Sequence, residues 1–415
     1  MAVTAPRKNR RALSNVGGEI ETSGDREAAS ILAHAIDVTP SPDEDAEDRA
    51  HVHGFHSYPA RAHPVTVRRL VEELVPEKGT VLDPFCGSGT VLIESMLAGR
   101  DAIGSDLNPL AVMLSRAKTF PHPPAKTEAL VLAAQGVAEF ADAKRKAKSG
   151  ASKRLPQEDV STFAPHVLLE LASIRDGIAK APPETRPELM LVLSSILVKL
   201  SARRGDTTEE QVEKRIAAGY PAKLFVKKTQ DLAARFDALY NEMPKPPPRA
   251  RVFEDDATVL SKVEDDSIDA VITSPPYVAT YDYLQHHELR LRWLGLDARK
   301  LARGELGARR NYVKLGGREA TASWEGELAK LFKTLARVMR RDASLVLLIA
   351  DSAQMTPRGA VAIRADDVVA RVANKLGSLV PVAAASQARP HFHAPTQGAF
   401  RERPRYEHAL LLTRR

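Results

Sequence analysis

The sequence predicts an α/β fold: a mostly parallel sheet of seven strands, interrupted by a helical insertion. Three observations carry this. Strand-like and helix-like stretches alternate over residues 65–118 and again over 251–377. A glycine-rich turn, DPFCGSGT at 83–90, sits where one such strand meets the next helix. Between the alternating stretches, residues 121–250 carry only helical periodicity, with Pro121, Pro123 and Pro124 at one end and Pro244 and 246–248 at the other.

Residues 1–50 are expected as a disordered tail. Arg7, Lys8, Arg10 and Arg11 give way, after Pro40 and Pro42, to an acidic block over 43–48. Charge blocks flanked by prolines resist packing, so only a short helix near 27–36 is expected there. VTVRRLVEEL (65–74) spaces apolar residues three and four apart, as an amphipathic helix does. VLDPF (81–85) reads as a strand, VLIESMLAG (91–99) as a helix closed by glycine, and DAIGSD (101–106) as the next strand. The helix at 107–118 carries Pro109 in its first turn.

Helices are expected in the insertion at 126–147, 162–180, 184–203 and 208–242, the last broken at Gly219 and Pro221. Strands resume at 251–257 and 268–273, a helix follows at 324–340, and SLVLLIAD (344–351) is an unalternating apolar strand suited to the sheet centre. After a helix at 365–377, LVPVAAAS (379–386) and EHALLLT (407–413) complete seven strands as an antiparallel pair.

Composition narrows the function classes. With 43% apolar and 27% charged residues among 415, the chain can bury a sizeable core, which excludes wholesale disorder. One cysteine excludes an internal disulfide and a cysteine-rich zinc site. No apolar run is long enough to cross a membrane and the basic start lacks a secretory h-region, so a cytoplasmic protein without membrane partners is expected. The net charge of +7, from 60 basic and 53 acidic residues, is a modest bias toward polyanions. The insertion holds 21 Lys and Arg against 16 Asp and Glu. A basic segment over 286–318, interleaved with Tyr281, Tyr283, Trp293 and Tyr312, and a second over 387–406 are candidate phosphate contacts. His391 and His393 lack acidic or cysteine neighbours, so no metal site is expected.

The turn at 83–90 lies at the carboxyl end of a strand, where open α/β sheets bind ligands. Gly87 and Gly89 let the backbone approach a ligand closely. Asp83 suits a ligand carrying an ammonium group and would repel pyrophosphate. Asp106, ending the next strand, suits two ribose hydroxyls. Asp256, with Ala257 beside it, suits an adenine amino group. GxGxxG and the Gly-Lys-Ser/Thr phosphate loop are both absent. Cys86 is expected as a small packed residue rather than a nucleophile. A second site follows the strand 268–273 as SPPY, Ser274 to Tyr277. Two prolines stiffen the backbone and remove two N–H donors. That leaves carbonyls and the Ser274 hydroxyl as fixed acceptors beside an aromatic face, suited to a planar base with an exocyclic amine.

DPFCGSGT together with SPPY resembles the S-adenosylmethionine-dependent amino-methyltransferases of nucleic acids, especially the bacterial DNA methyltransferases with DPFxGxGT and (D/N/S)PP(Y/F/W) motifs. The resemblance covers residues 55–118 and 251–415 and extends to the segment around His63 and Pro64. It implies a Rossmann-like methyltransferase sheet, with a catalytic domain over 51–120 and 251–415 and S-adenosylmethionine as cofactor. The implied cofactor contacts are Asp83, Pro84, Phe85, Cys86, Gly87, Gly89, Thr90, Asp106, Leu107, Asp256, Ala257, His63 and Pro64. Ser274, Pro275, Pro276 and Tyr277 would serve catalysis, with amine N–H groups held by the Ser274 oxygen and the Pro275 carbonyl and Tyr277 stacked on a flipped base.

The resemblance also implies double-stranded DNA as partner ahead of RNA, cytosine N4 as target ahead of adenine N6, and a companion restriction endonuclease. Its target-recognition region would be the insertion, 121–250, which here precedes the adenine-contacting Asp256.

Overall fold

The computed structural model of the chain describes residues 18–38, 48–147, 156–205, 210–356, 359–391 and 394–415. The basic residues at 7–11, the acidic block at 43–47 and His393 lie outside them. The strands are β1 (Ile20–Gly24), β2 (Thr80–Asp83), β3 (Asp101–Asp106), β4 (Ala250–Glu254), β5 (Ile268–Thr273), β6 (Met339–Ala350), β7 (Ser352–Thr356), β8 (Gly359–Ile363), β9 (Leu379–Arg389) and β10 (Arg405–Arg414). Eight of them form one sheet in the order β1-β9-β10-β6-β5-β2-β3-β4, and β7 and β8 pair as a separate hairpin. β6, β5, β2, β3 and β4 are parallel, and β10, β9 and β1 are added antiparallel.

All seven expected strands form. The eighth comes from the segment expected as tail. Ile20–Gly24 pairs along β9, covering backbone groups that an edge strand would leave open. The helix Arg26–Ile36 follows, and its Leu32, Ala35 and Ile36 are buried beside Val67, Leu70 and Val71 of the helix Pro64–Leu74. An order signal was therefore present in the helix, while the short polar strand ETSG had none.

Alternation along the strands divides the core. Val81, Ile272 and Val346 face the helices Arg26–Ile36 and Pro64–Leu74. Leu82, Val271, Leu345 and Leu347 face the helices Gly317–Val338 and Ala365–Leu376 on the other side. The result is a three-layer sandwich.

The insertion is helical, with one departure. Residues 210–219, expected as helix, are not. The helix Tyr220–Glu242 begins instead at Gly219, whose φ of 81° no helix adopts. The carboxylate of buried Glu170 receives the N–H of Gly219 and of Ala222, both at 2.9 Å, and so caps the new helix. The helix Arg186–Leu200 lies innermost. Its Leu189, Leu193, Ile196 and Leu197 are fully buried in one apolar cluster with Leu92, Met96, Leu110 and Leu114 from the sheet-flanking helices. The insertion thus packs on the sheet layer as part of its core.

This continuity sets a stability expectation. Leu197→Ala should lower the unfolding free energy by about 2–5 kcal/mol through the cavity it opens. A denaturant midpoint within error of the parent chain would show that the insertion is only loosely attached.

Candidate functional site

The strand order reverses at β2, whose neighbours β3 and β5 lead to opposite halves of the sheet. A crevice opens at the carboxyl end of such a pair. The turn after β2 fills it. Gly87 and Gly89 hold φ of 50° and 86°, and Gly89 starts the helix Thr90–Leu97. A β-carbon at Gly87 would stand 3.1 Å from the ring of Tyr58.

Backbone and side chains then fix three carboxylates. Asp83 is 3% exposed, and its Oδ1 accepts from the Thr273 hydroxyl at 2.6 Å and from Phe85 N–H at 3.1 Å. Asp106 accepts from Gly87 N–H at 3.0 Å and Asn108 N–H at 2.8 Å. Asp256 Oδ1 accepts from the backbone and hydroxyl of Thr258.

A cavity of about 840 Å³ collects these groups. Of the expected residues, Asp83, Pro84, Phe85, Cys86, Gly87, Thr90, Asp106, Leu107, Asp256, Ala257, Ser274 and Pro276 line it. Gly89 does not, and acts as the helix start. Pro275 is buried outside it. His63 and Tyr277 line a second cavity of about 410 Å³ instead. His63 caps the helix Pro64–Leu74, in which Pro64 is the first residue.

Burial pushes the Asp83 carboxyl up to about 7, against the hydrogen bonds from Thr273 and Phe85, which favour its ionised form. Burial likewise lifts Asp106 to about 6. Both carboxylates are thus held in a space where a cation would be drawn in. Burial raises the Cys86 thiol, whose sulfur would stand 3.1 Å from a β-carbon on Gly104, a close-packed setting of the kind expected for it.

Several residues that line the site were not expected there. Tyr58 and Tyr283 line the large cavity. Their rings stack at 6.0 Å, and buried His287 stacks on Tyr58 at 5.0 Å. Glu305 also lines the cavity; it accepts from Tyr283 N–H and from Arg310. These residues meet only through the tertiary fold; Tyr283 and His287, four apart on one helix, are the one local hint.

The basic segment 286–318 is only partly free for phosphate. Arg290 is buried against the Ser194 carbonyl, Arg292 pairs with Asp159, and Arg310 bridges Asp282 and Glu305. Arg309, Lys314 and Arg318 are exposed. In the second basic segment, Arg389 and Arg405 turn onto Glu407, and Arg403 onto Asp366. Among the described residues, no helix is long and apolar enough to cross a membrane.

Residues 34–116 match the family model described as DNA methylase. The type II methyltransferase M.BsoBI of Geobacillus stearothermophilus is 28% identical over 285 residues, which cover 60% of this chain and 54% of the relative. M.MvaI of Kocuria varians, also a type II methyltransferase, is 42% identical over 77 residues, covering 18% of this chain and 17% of its own. The chain spans about half the length of the first of these and less of the second. A solved structure, TrmN from Thermus thermophilus, overlaps 85% of this chain and 49% of its own at 11% identity, with a TM-score of 0.33 too low to bear on function. DPFCGSGT and SPPY stand at the ends of adjacent strands β2 and β5, and residues 34–116, which hold the first of them, are similar to the DNA methylase family.

Proposed function

We propose that the chain is a site-specific DNA methyltransferase acting on an exocyclic amine of a flipped base, cytosine N4 ahead of adenine N6. The observation that carries this reading is that Ser274 and Pro276 line the same cavity as Asp83, Asp106 and Asp256. SPPY, with serine in first place, favours cytosine over adenine.

The residues present fit S-adenosylmethionine. The close approach at Gly87 leaves room that a side chain would fill. Buried Asp83 supplies the counterion for an ammonium group, Asp106 acceptors for ribose hydroxyls, and Asp256 an acceptor for an adenine amine. When bound, the cofactor supplies an electrophilic sulfonium methyl.

The protein's own part is positioning and polarity. An aromatic amine is a weak nucleophile because its lone pair is delocalised into the ring. A hydrogen bond from its N–H to the Ser274 hydroxyl oxygen favours a pyramidal nitrogen with the lone pair free. Ser274 is too weak a base to take that proton, so it leaves to water after transfer. Preorganisation at the rigid Pro275–Pro276 pair supplies the rest, since the acceptor needs no reorientation.

Double-stranded DNA is the proposed partner, with a restriction endonuclease as companion. Target recognition is assigned to the outer helices of the insertion, Pro124–Lys146 and Tyr220–Glu242, because Arg186–Leu200 is engaged by the sheet layer.

Two outcomes test the cofactor assignment. Asp83→Asn keeps the shape and the Thr273 contact but removes the charge. At pH 8 it should weaken S-adenosylmethionine binding by about 3–5 kcal/mol, the range for stranding a buried partner charge; unchanged affinity by calorimetry would overturn the pocket.

The second outcome is a pH dependence. In the free chain Asp83 holds its proton up to about 7, against an ordinary 3.8. Its contribution to folding stability is therefore full below the ordinary value and is lost as pH rises through about 7. Binding of a cation runs the other way, because it needs the ionised carboxyl. Cofactor affinity should rise about tenfold per pH unit below that value and level off above it. A flat profile between pH 5 and 8 would remove Asp83 from the ammonium site.

A further inference from the structure

SPPY separates two cavities. Ser274 and Pro276 line the larger, Tyr277 lines the smaller, and Ala62 lines both. The smaller has an apolar side, Leu348 and Ile349 at the end of β6, and the ring of Tyr277. Glu407 and His408 of β10 also line it but are taken up, Glu407 by Arg389 and Arg405 and His408 by Ser386 and Asp351. The rest of its polar side comes from two distant elements: His63 and Thr66 at the start of the helix Pro64–Leu74, and Gln387 and Arg389 at the end of β9. These four side chains are 1–7% exposed. Each carries a buried atom with no hydrogen-bond partner: His63 Nε2, Thr66 Oγ1, Gln387 Oε1 and Arg389 Nη1. Buried polar atoms are nearly always paired. Four unpaired around one cavity mark a space that a polar ligand completes.

Their hydrogen-bond characters are fixed by what the same side chains do elsewhere. Val65 N–H donates to His63 Nδ1 at 3.3 Å, so the neutral ring carries its hydrogen on Nε2 and that atom is a donor. Burial keeps the ring neutral, at about 4, and the nearest carboxylate oxygen, of Asp48, stands 4.0 Å away. Gln387 Nε2 donates to the Gly18 carbonyl at 3.1 Å, which leaves Oε1 as an acceptor. Arg389 Nε donates to Glu407 at 3.2 Å, and Nη1 remains a donor.

The set is two donors and one acceptor, with the Thr66 hydroxyl able to act as either. Cytosine presents the complement along one edge: acceptors O2 and N3 beside the N4 amine. Guanine offers the same donor, donor, acceptor set to cytosine in a duplex. On the corresponding edge adenine offers N1 and its amine, and would leave one donor stranded.

We propose that Arg389, His63 and Gln387, with Thr66, form a base-reading edge that holds a flipped cytosine in the second cavity, its amine turned past Tyr277 toward Ser274. The assignment rests on the methyltransferase reading above and adds the residues that choose the base. Pro275 does not line either cavity, so Gln387 Oε1 replaces its carbonyl as the second acceptor for the amine.

The test uses the full chain, S-adenosylmethionine and unmodified genomic DNA, with nucleoside mass analysis and steady-state kinetics. N4-methylcytosine should be the mark. Gln387→Leu and Arg389→Gln should each lower kcat/KM for DNA by about tenfold to a hundredfold, mainly through KM, because a base polar group loses its partner in a dry site. Cofactor affinity should stay within about twofold, and Arg389→Lys should recover part of the loss because one donor returns. A mark on adenine would overturn the base assignment and leave the methyltransferase reading standing. Parent kinetics in both variants would overturn the reading edge. Should Arg389→Gln lose cofactor binding as well, its role is structural, and near-isosteric Gln387→Leu decides alone. Bound cofactor with no methyl transferred to DNA would sink the function itself.

Discussion

One hydrogen bond joins the two halves of the site. The Thr273 hydroxyl donates at 2.6 Å to Asp83 Oδ1, between residues 190 apart in sequence. Thr273 ends β5 and immediately precedes Ser274; Asp83 ends β2 and opens the glycine turn. The two strands are adjacent and parallel, so both motifs leave the sheet at the same end. The bond fixes how far apart they leave it. Any ligand that spans from Asp83 to Ser274 meets a distance set by this contact and by the sheet, not by the loops.

The same bond explains why the pocket is electrostatically incomplete by itself. Moving a carboxylate into a buried site favours its neutral form, and here only a hydroxyl and a backbone N–H oppose that. Asp106 is treated the same way by the N–H groups of Gly87 and Asn108. Glu305, nearby, is raised by burial although Arg310 pairs with it. The raised carboxyls of Asp83 and Asp106 lower the stability of the free chain at neutral pH. Such shifts cluster at sites whose compensating charge arrives with a ligand.

The parts legible in the sequence were those whose signal is local. DPFCGSGT is a strand, a turn and a helix start in consecutive residues, and Asp106 ends β3 and Asp256 follows β4, strands that can be read one at a time. The parts that were not legible are assembled from far apart. The second cavity draws on residues near 63, 277, 348, 387 and 407, none of which carries a pattern by itself. His63 was placed with the cofactor by the resemblance of its segment to the methyltransferases; in the fold it lines the second cavity. The strand Ile20–Gly24 was hidden because pairing along β9 decides its conformation, not its own polar residues. Over 210–219 helical composition misled, since Glu170 starts the helix at Gly219 from 49 residues away.

The segment 48–66, ahead of β2, has a part in both cavities. Tyr58, Ala60 and Arg61 border the larger, His63 and Thr66 the smaller, and Ala62 both. It has little regular structure of its own before Pro64, so its position must be imposed. Arg61 is tied to Asp48, while His53 and Arg68 converge on Glu94 at 2.7 and 3.0 Å. Glu94 is fully buried in the helix Thr90–Leu97 that begins at the glycine turn. Burial alone would raise its carboxyl, but the pairing with His53 and Arg68 outweighs this and holds it below the usual range. Breaking that pairing would leave a buried charge alone, which costs more than a surface ion pair contributes. This segment is therefore anchored to the same helix whose first turn borders the larger cavity, so the two cavities share one frame.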